Sequence, residues 1–196
     1  MSVSKELSKG LVQVYTGEGK GKTTAALGQS IRAAGHGLKV LFVQFVKGNS
    51  FTGEFLFFRN SHNVTFWQFG RDCIYSSGIR EKVVECNNCR ECFIGKEGPS
   101  DMDIKVIRGG WERVKSVVRN YDLIVLDEIS LAIFYKIIST EEVLEFLKNK
   151  PEKVEIILTG RYMPEEIIEL ADLVTEMKEV KHPYSRGILA RWGIDY

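Results

Sequence analysis

Residues 16 to 24 read Thr-Gly-Glu-Gly-Lys-Gly-Lys-Thr-Thr, between the apolar run Leu11-Val12-Gln13-Val14-Tyr15 and a helical stretch opening Ala25-Ala26-Leu27. A strand, a glycine-rich turn and a helix in that order form a phosphate cradle. The glycines let several backbone N–H groups converge on anionic oxygens, and the helix adds its positive N-terminal end. Lys22 supplies a point charge that reaches terminal phosphates, and the Thr23 hydroxyl stands where it can ligate Mg²⁺. The expected nucleotide-binding set is therefore Gly17, Glu18, Gly19, Lys20, Gly21, Lys22, Thr23 and Thr24. The spacing departs from G-x-x-x-x-G-K-[ST], which requires glycine at position 16. This chain has Thr16, and Gly17 comes one residue too late.

Apolar runs rich in β-branched residues alternate with helical patterns along the rest of the chain, which predicts a mostly parallel α/β sheet flanked by helices. Strands are expected at 11–15, 39–46, 64–69, 122–127, 154–159 and 172–177. Helices are expected at 23–35, 102–119, 140–149 and 164–171. Gly109-Gly110 falls inside the second helix, where each glycine costs about 1 kcal/mol against alanine, so either the helix breaks or something packs on bare backbone. Thr140 with Glu141 and Glu142 reads as the start of the third helix, and Pro164 with Glu165 and Glu166 as the start of the fourth. Residues 70–101 resist the alternation.

The 196 residues are 44% hydrophobic, enough for a sizeable core in one domain spanning 1–196. Lys+Arg 27 against Asp+Glu 26 leaves no basic field, so nucleic acid is not an expected partner. No apolar run approaches the ~18 residues of a membrane span. The start Met1-Ser2-Val3-Ser4-Lys5-Glu6 lacks a signal peptide's apolar core, so a cytoplasmic location is expected.

Leu123-Ile124-Val125-Leu126-Asp127-Glu128 is an apolar strand ending in two carboxylates. Ligands of open α/β sheets bind at that edge, so Glu128, with Asp127 in support, is expected to hold Mg²⁺ together with Thr23. Leu158-Thr159-Gly160-Arg161 ends another strand, where Arg161 either reaches the triphosphate or is a surface residue. Arg32 reads as structural.

The segment 70–101 holds every cysteine. Cys86, Cys89 and Cys92 recur at two-residue intervals, with Cys73 upstream. Thiolates so spaced can converge on one ion. A structural Zn²⁺ held by Cys73, Cys86, Cys89 and Cys92, an iron–sulfur cluster on the same thiols, and reduced thiols in a loop are the three readings.

Longer stretches resemble the ATP:corrinoid adenosyltransferases. These are Tyr15 to Ala26, Gly35-His36-Gly37 leading to Val43-Gln44-Phe45-Val46-Lys47-Gly48, Leu126-Asp127-Glu128-Ile129, Leu158-Thr159-Gly160-Arg161 and Glu169 to Met177. Val180-Lys181-His182-Pro183-Tyr184 and the ending Arg191-Trp192-Gly193-Ile194-Asp195-Tyr196 complete the match, which covers most of the chain except about 70–101. The loop one residue short of the standard motif is a property of that family. The resemblance implies a P-loop NTPase fold of the RecA-like kind, carrying a Cys-rich loop insertion. It implies that the Co(I) of a reduced corrinoid, cobalamin or a precursor, attacks the 5′ carbon of ATP and releases triphosphate. The nucleotide would lie reversed, its terminal phosphate in the loop. Residues 17 to 23, Lys22 among them, would bind phosphates, and Thr23 and Glu128 would hold Mg²⁺, the protein supplying alignment and charge neutralisation of the leaving triphosphate. The corrinoid would lie over aromatic and apolar side chains that displace its lower axial ligand. Where the family places a Phe-x-Trp pair, this chain has Cys73 and Tyr75. An electron donor such as a flavoprotein reductase and a homodimer are implied by the resemblance alone.

Two rivals are a nucleoside kinase of the thymidine kinase type with a Cys-bound zinc, and a non-enzymatic ATP-gated corrinoid carrier. The first would need a carboxylate base near a sugar hydroxyl.

Overall fold

The computed structural model describes residues 7–48, 50–87 and 89–196. Residues 1–6, read above for a leader, lie outside them. All six apolar runs form strands: β1 (Val12–Thr16), β2 (Val40–Phe45), β3 (Val64–Phe69), β4 (Leu123–Asp127), β5 (Glu155–Thr159) and β6 (Leu173–Glu176). Their order across the sheet is β3-β2-β4-β5-β1-β6, and every pairing among the described residues is parallel. The helices are α1 (Lys22–Gly35), α2 (Gly53–Phe58), α3 (Ser76–Arg80), α4 (Asp101–Val117), α5 (Ile129–Phe134), α6 (Thr140–Lys148) and α7 (Glu165–Leu170).

Parallel strands covered on both faces read as continuous apolar runs, and successive side chains divide between the two layers. Leu41, Val43 and Phe45 of β2 join Trp111 of α4, Phe146 of α6 and Ile167 of α7 in one core. Val40 and Phe42 join Ala26 and Ala33 of α1 and Phe58 of α2 in the other. β4 divides likewise, Ile124 and Leu126 on one side and Leu123 and Val125 on the other. The result is a sheet between two helical layers, with the carboxyl ends of the strands left open at one edge.

The helix α4 runs unbroken through Gly109-Gly110. A Cβ on Gly110 would stand 2.3 Å from the Phe69 ring, whereas one on Gly109 would meet nothing within 4 Å. Close packing on bare backbone is thus the correct alternative, and at Gly110 alone. The helix stops at Val117, and a 3-10 turn, Val118–Asn120, completes the span. α6 starts at Thr140 as expected, capped by Ser139: its hydroxyl accepts from the Glu142 N–H while the Glu142 carboxylate accepts from the Ser139 N–H. Pro164 takes the N-cap position of α7. The helices α2, α3 and α5 were not expected: at five or six residues they show little helical period and, unlike the equally short α7, they lack a proline with paired acids at the start.

Candidate functional site

β1 continues through Thr16, where the standard motif has glycine. The Thr16 carbonyl accepts from the Met177 N–H at 2.8 Å, and its hydroxyl donates to the Gly160 carbonyl at 3.0 Å. The residue that shortens the loop therefore lengthens the strand and ties it to the end of β5. The loop then bends through Gly17 (φ 94) and Gly21 (φ 115), a backbone region that strains any other residue. A Cβ on Gly17 or Gly19 would also come within 2.6 Å of the Met177 carbonyl. That carbonyl accepts from the Gly19 N–H at 2.6 Å, so the chain after β6 engages one amide expected to face phosphate.

Lys22, 7% exposed, folds back over the loop and donates to the carbonyls of Gly17 at 2.6 Å and Gly19 at 2.7 Å. An ammonium has three donors, so one remains for a ligand. Burial lowers its pKa from the ordinary lysine value, with Glu128 pulling the other way and Arg161 adding to the lowering. A cleft of about 690 Å³ opens above the loop, lined among others by Lys22, Thr23, Thr24, Lys47, Glu128 and Arg161. Gly19, Lys20 and Gly21 line it too, whereas Gly17 and Glu18 do not. Arg161 faces the loop, its Nε 3.5 Å from Glu18.

Asp127 lies fully buried behind the cleft and does not line it. Its Oδ1 accepts from the hydroxyls of Thr23 at 2.9 Å and Thr159 at 2.6 Å. Its Oδ2 accepts from Gln44 and from the Lys47 ammonium, both at 3.1 Å. Glu128 caps α5 in a left-handed conformation (φ 58), its N–H donating to the Thr159 hydroxyl at 3.1 Å. The same ammonium stands 3.4 Å from Glu128 Oε1. Burial alone would lower the Lys47 pKa, but Asp127 and then Glu128 outweigh it and hold the group above its ordinary value. Oxygens of Thr23, Asp127 and Glu128 already converge on one cation, so this donor set fits a hard divalent ion such as Mg²⁺. Lys47 and Gln44 were not singled out by sequence reasoning. Their signal was position, at and just past the carboxyl end of β2, beside β4.

A second cavity, about 340 Å³, is lined by Cys73, Tyr75, Cys86, Cys89 and Cys92 with apolar Phe51, Ile79 and Leu189 among its other walls. Lys20, His182 and Asp195 line both cavities. The four thiols thus share one recess, yet at different depths: Cys73 is buried, Cys86 and Cys92 half-buried, Cys89 exposed. Among the described residues no three His, Cys, Asp or Glu side chains form a group able to hold a metal. Neither the zinc nor the iron–sulfur reading is shown by this arrangement of the sulfurs.

The family model for ATP:corrinoid adenosyltransferase BtuR/CobO/CobP matches residues 8–196. This chain belongs to the ATP:corrinoid adenosyltransferase family. Similar relatives include the corrinoid adenosyltransferase of Sinorhizobium sp, 37% identical over 96% of this chain and 81% of that protein. Another is the corrinoid adenosyltransferase of Escherichia coli K12, 35% identical over 96% and 86%. A third is the corrinoid adenosyltransferase CobA of Salmonella typhimurium, 33% identical over the same shares. Among solved structures, the flagellar accessory protein FlaH from Methanocaldococcus jannaschii superposes with a TM-score of 0.53 at 14% identity. That likeness covers 87% of this chain and 71% of FlaH and concerns the fold alone. Within the corrinoid adenosyltransferase family neither the nucleoside-kinase nor the carrier reading finds support.

Proposed function

We propose that the chain transfers the 5′-deoxyadenosyl group of ATP to the Co(I) of a reduced corrinoid and releases triphosphate, in adenosylcobalamin synthesis or salvage. The observation that carries this reading is the shared wall of the two cavities, formed by Lys20, His182 and Asp195. A nucleotide gripped by its phosphates on one side of that wall presents its other end toward a largely apolar recess. The Co(I) electron pair forms the bond to the 5′ carbon as the carbon–oxygen bond breaks, and the bonding pair leaves with triphosphate. No general base is required, so the protein's work is alignment and charge neutralisation.

In this reading residues 17 to 24 cradle the triphosphate, with the loop amides other than that of Gly19 and the start of α1 turned toward it. Lys22 and Arg161, both lining the cleft, offset charge on the leaving oxygens. Thr23 and Glu128 hold Mg²⁺, with buried Asp127 orienting Thr23 from behind; bound there, the ion neutralises phosphate oxygens. Cys73 and Tyr75, at the register of the family's aromatic pair, both line the second cavity, which supports that recess as the corrinoid-facing surface. Tyr75, Phe51 and Leu189 supply the apolar contact that Cys73 cannot.

A separate one-electron donor of the flavoprotein class, a homodimer and a cytoplasmic location complete the proposal. The exposed edge strand β6, with Leu173 and Val174 open to solvent, is the feature that supports self-association. No helix of the described residues is long and apolar enough to cross a membrane.

Incubation with ATP, Mg²⁺ and chemically reduced cobalamin should yield adenosylcobalamin and intact triphosphate. Formation of ADP, or no cobalt–carbon bond, would sink the proposal. Lys22→Ala should lower the transfer rate by about 10²- to 10³-fold, as expected for removing a charge aimed at a developing anion.

A further inference from the structure

The contacts of Lys47 are unusual for a cleft lysine. Its ammonium lies 3.4 Å from Thr23 Oγ1, 3.1 Å from Asp127 Oδ2 and 3.4 Å from Glu128 Oε1. These are the side chains read above as holding Mg²⁺, Thr23 and Glu128 directly and Asp127 in support, and an ammonium offers one donor to each. A buried carboxylate without a counter-ion is strongly destabilising, so Asp127 requires a cation whether or not nucleotide is present.

The root of Lys47 is fixed by the backbone, whereas its tip is held by these three side-chain contacts alone. Val46 before it adopts a left-handed backbone (φ 62) and donates its N–H to the Phe69 carbonyl at 2.9 Å. Gly70 packs so closely that a Cβ there would stand 2.5 Å from the Lys47 nitrogen. The side chain beyond it, by contrast, is a flexible four-carbon stem, 30% exposed taken whole, that borders the nucleotide cleft. Such a side chain can swing from the carboxylates into the cleft without moving the backbone.

We propose that the Lys47 ammonium is a tethered stand-in for the divalent cation, holding the position between Thr23, Asp127 and Glu128 in the nucleotide-free enzyme and vacating it only when metal arrives with triphosphate. The proposal rests on the reading of Thr23 and Glu128 as metal ligands with Asp127 supporting them. Mg²⁺ binds oxygen at about 2.0–2.1 Å, well inside the distances at which the ammonium stands, and the two cations would need the same space. A tethered charge competes at a high effective concentration, so a free divalent ion, offered only these protein oxygens, is excluded. Triphosphate changes both sides of that balance. It brings oxygens for the metal and a new anionic partner for the displaced ammonium.

Mn²⁺ serves as the probe, because its electron paramagnetic resonance signal falls when the ion is bound. Wild-type protein without nucleotide should leave the free-ion signal unchanged at millimolar Mn²⁺ and take up the ion once ATP is added. Lys47→Met and Lys47→Gln, both neutral and of similar length, should bind Mn²⁺ without nucleotide at least about tenfold more tightly than wild type. Adding Asp127→Asn to either variant should abolish the gain. Tight Mn²⁺ uptake by nucleotide-free wild type overturns the proposal, a result that does not depend on any variant folding. Folded Lys47 variants that bind no better than wild type also overturn it. The underlying ligand reading is tested separately by Thr23→Ala and Glu128→Gln. If neither weakens binding of Mn²⁺ with ATP, that reading falls and the proposal with it.

Discussion

Arg71, two residues past β3, grips Asp103 in the first turn of α4 through three hydrogen bonds of 2.7 to 3.1 Å. Ser100 adds a capping box, its own N–H donating to Asp103 at 2.8 Å. The Arg71 bonds come first among the causes that hold the Asp103 carboxyl down to about 2, with Ser100 adding to them against the effect of burial. Because the folded value lies below that of an unfolded aspartate, the ionised group stabilises the fold above about pH 4. That contribution disappears as the pH falls toward about 2. Asp103→Asn should therefore cost about 2 kcal/mol at neutral pH and progressively less in acid. Denaturant titrations at pH 6 and pH 2.5 check this; an equal loss at both would refute it. The clamp anchors the two ends of the segment that carries the cysteines. Nothing in the sequence pairs Arg71 with Asp103, since 32 residues separate them and each alone is an ordinary charge.

At the scale of elements, α4 separates two glycines that look identical in sequence. Gly109 is exposed on the helix, so Gly109→Ala should raise stability by about 0.5–1 kcal/mol through helix propensity and a less flexible unfolded chain. Gly110 faces Phe69 of β3, so Gly110→Ala should lower it by about 1–3 kcal/mol through overpacking. Opposite shifts in melting temperature are expected, and shifts of one sign would refute the packing argument. Strands β1 to β5 and the helices α1, α4 and α6 were legible because their burial patterns the sequence. Exposed β6 showed only its run Leu173-Val174-Thr175, and the six-residue α7 its Pro164-Glu165-Glu166 start. The helices α2, α3 and α5 were not legible. α5 owes its start to Glu128, whose left-handed backbone turns the chain sharply after β4, and to Gly160, which leaves no room for a Cβ beside the Ser130 hydroxyl. Local propensity carries no trace of such a contact between β5 and α5.

For the whole molecule, the parallel sheet delivers Thr16, Asp127 and Thr159 to one edge, and the C-terminal residues then close over it. Asp195 pairs with Lys20 of the phosphate loop and with Arg191, and stands in the wall between the two cavities. Tyr196 packs edge-on against Phe51 at 5.7 Å, in the cluster that also holds Cys73. Asp195→Asn should leave the fold intact and raise the KM for ATP about two- to fivefold, the scale of an ion pair with one exposed partner. Unchanged KM values for both substrates would show that the tail has no part in the site.

The sequence by itself determined the strand–loop–helix cradle, the carboxylates at the end of β4, the alternating α/β order and the family resemblance. Each is written in contiguous residues whose backbone and side-chain chemistry is local. Tertiary structure alone decided that Thr16 belongs to the strand, that the Gly19 amide is engaged by Met177, and that Lys47 sits among Thr23, Asp127 and Glu128. It also decided that Cys73 and the three evenly recurring cysteines after it share a recess without forming a gathered metal-binding group. Spacing states what a flexible loop could bring together. Convergence depends on where distant segments anchor that loop, and here the Arg71–Asp103 clamp and the C-terminal tail do the anchoring.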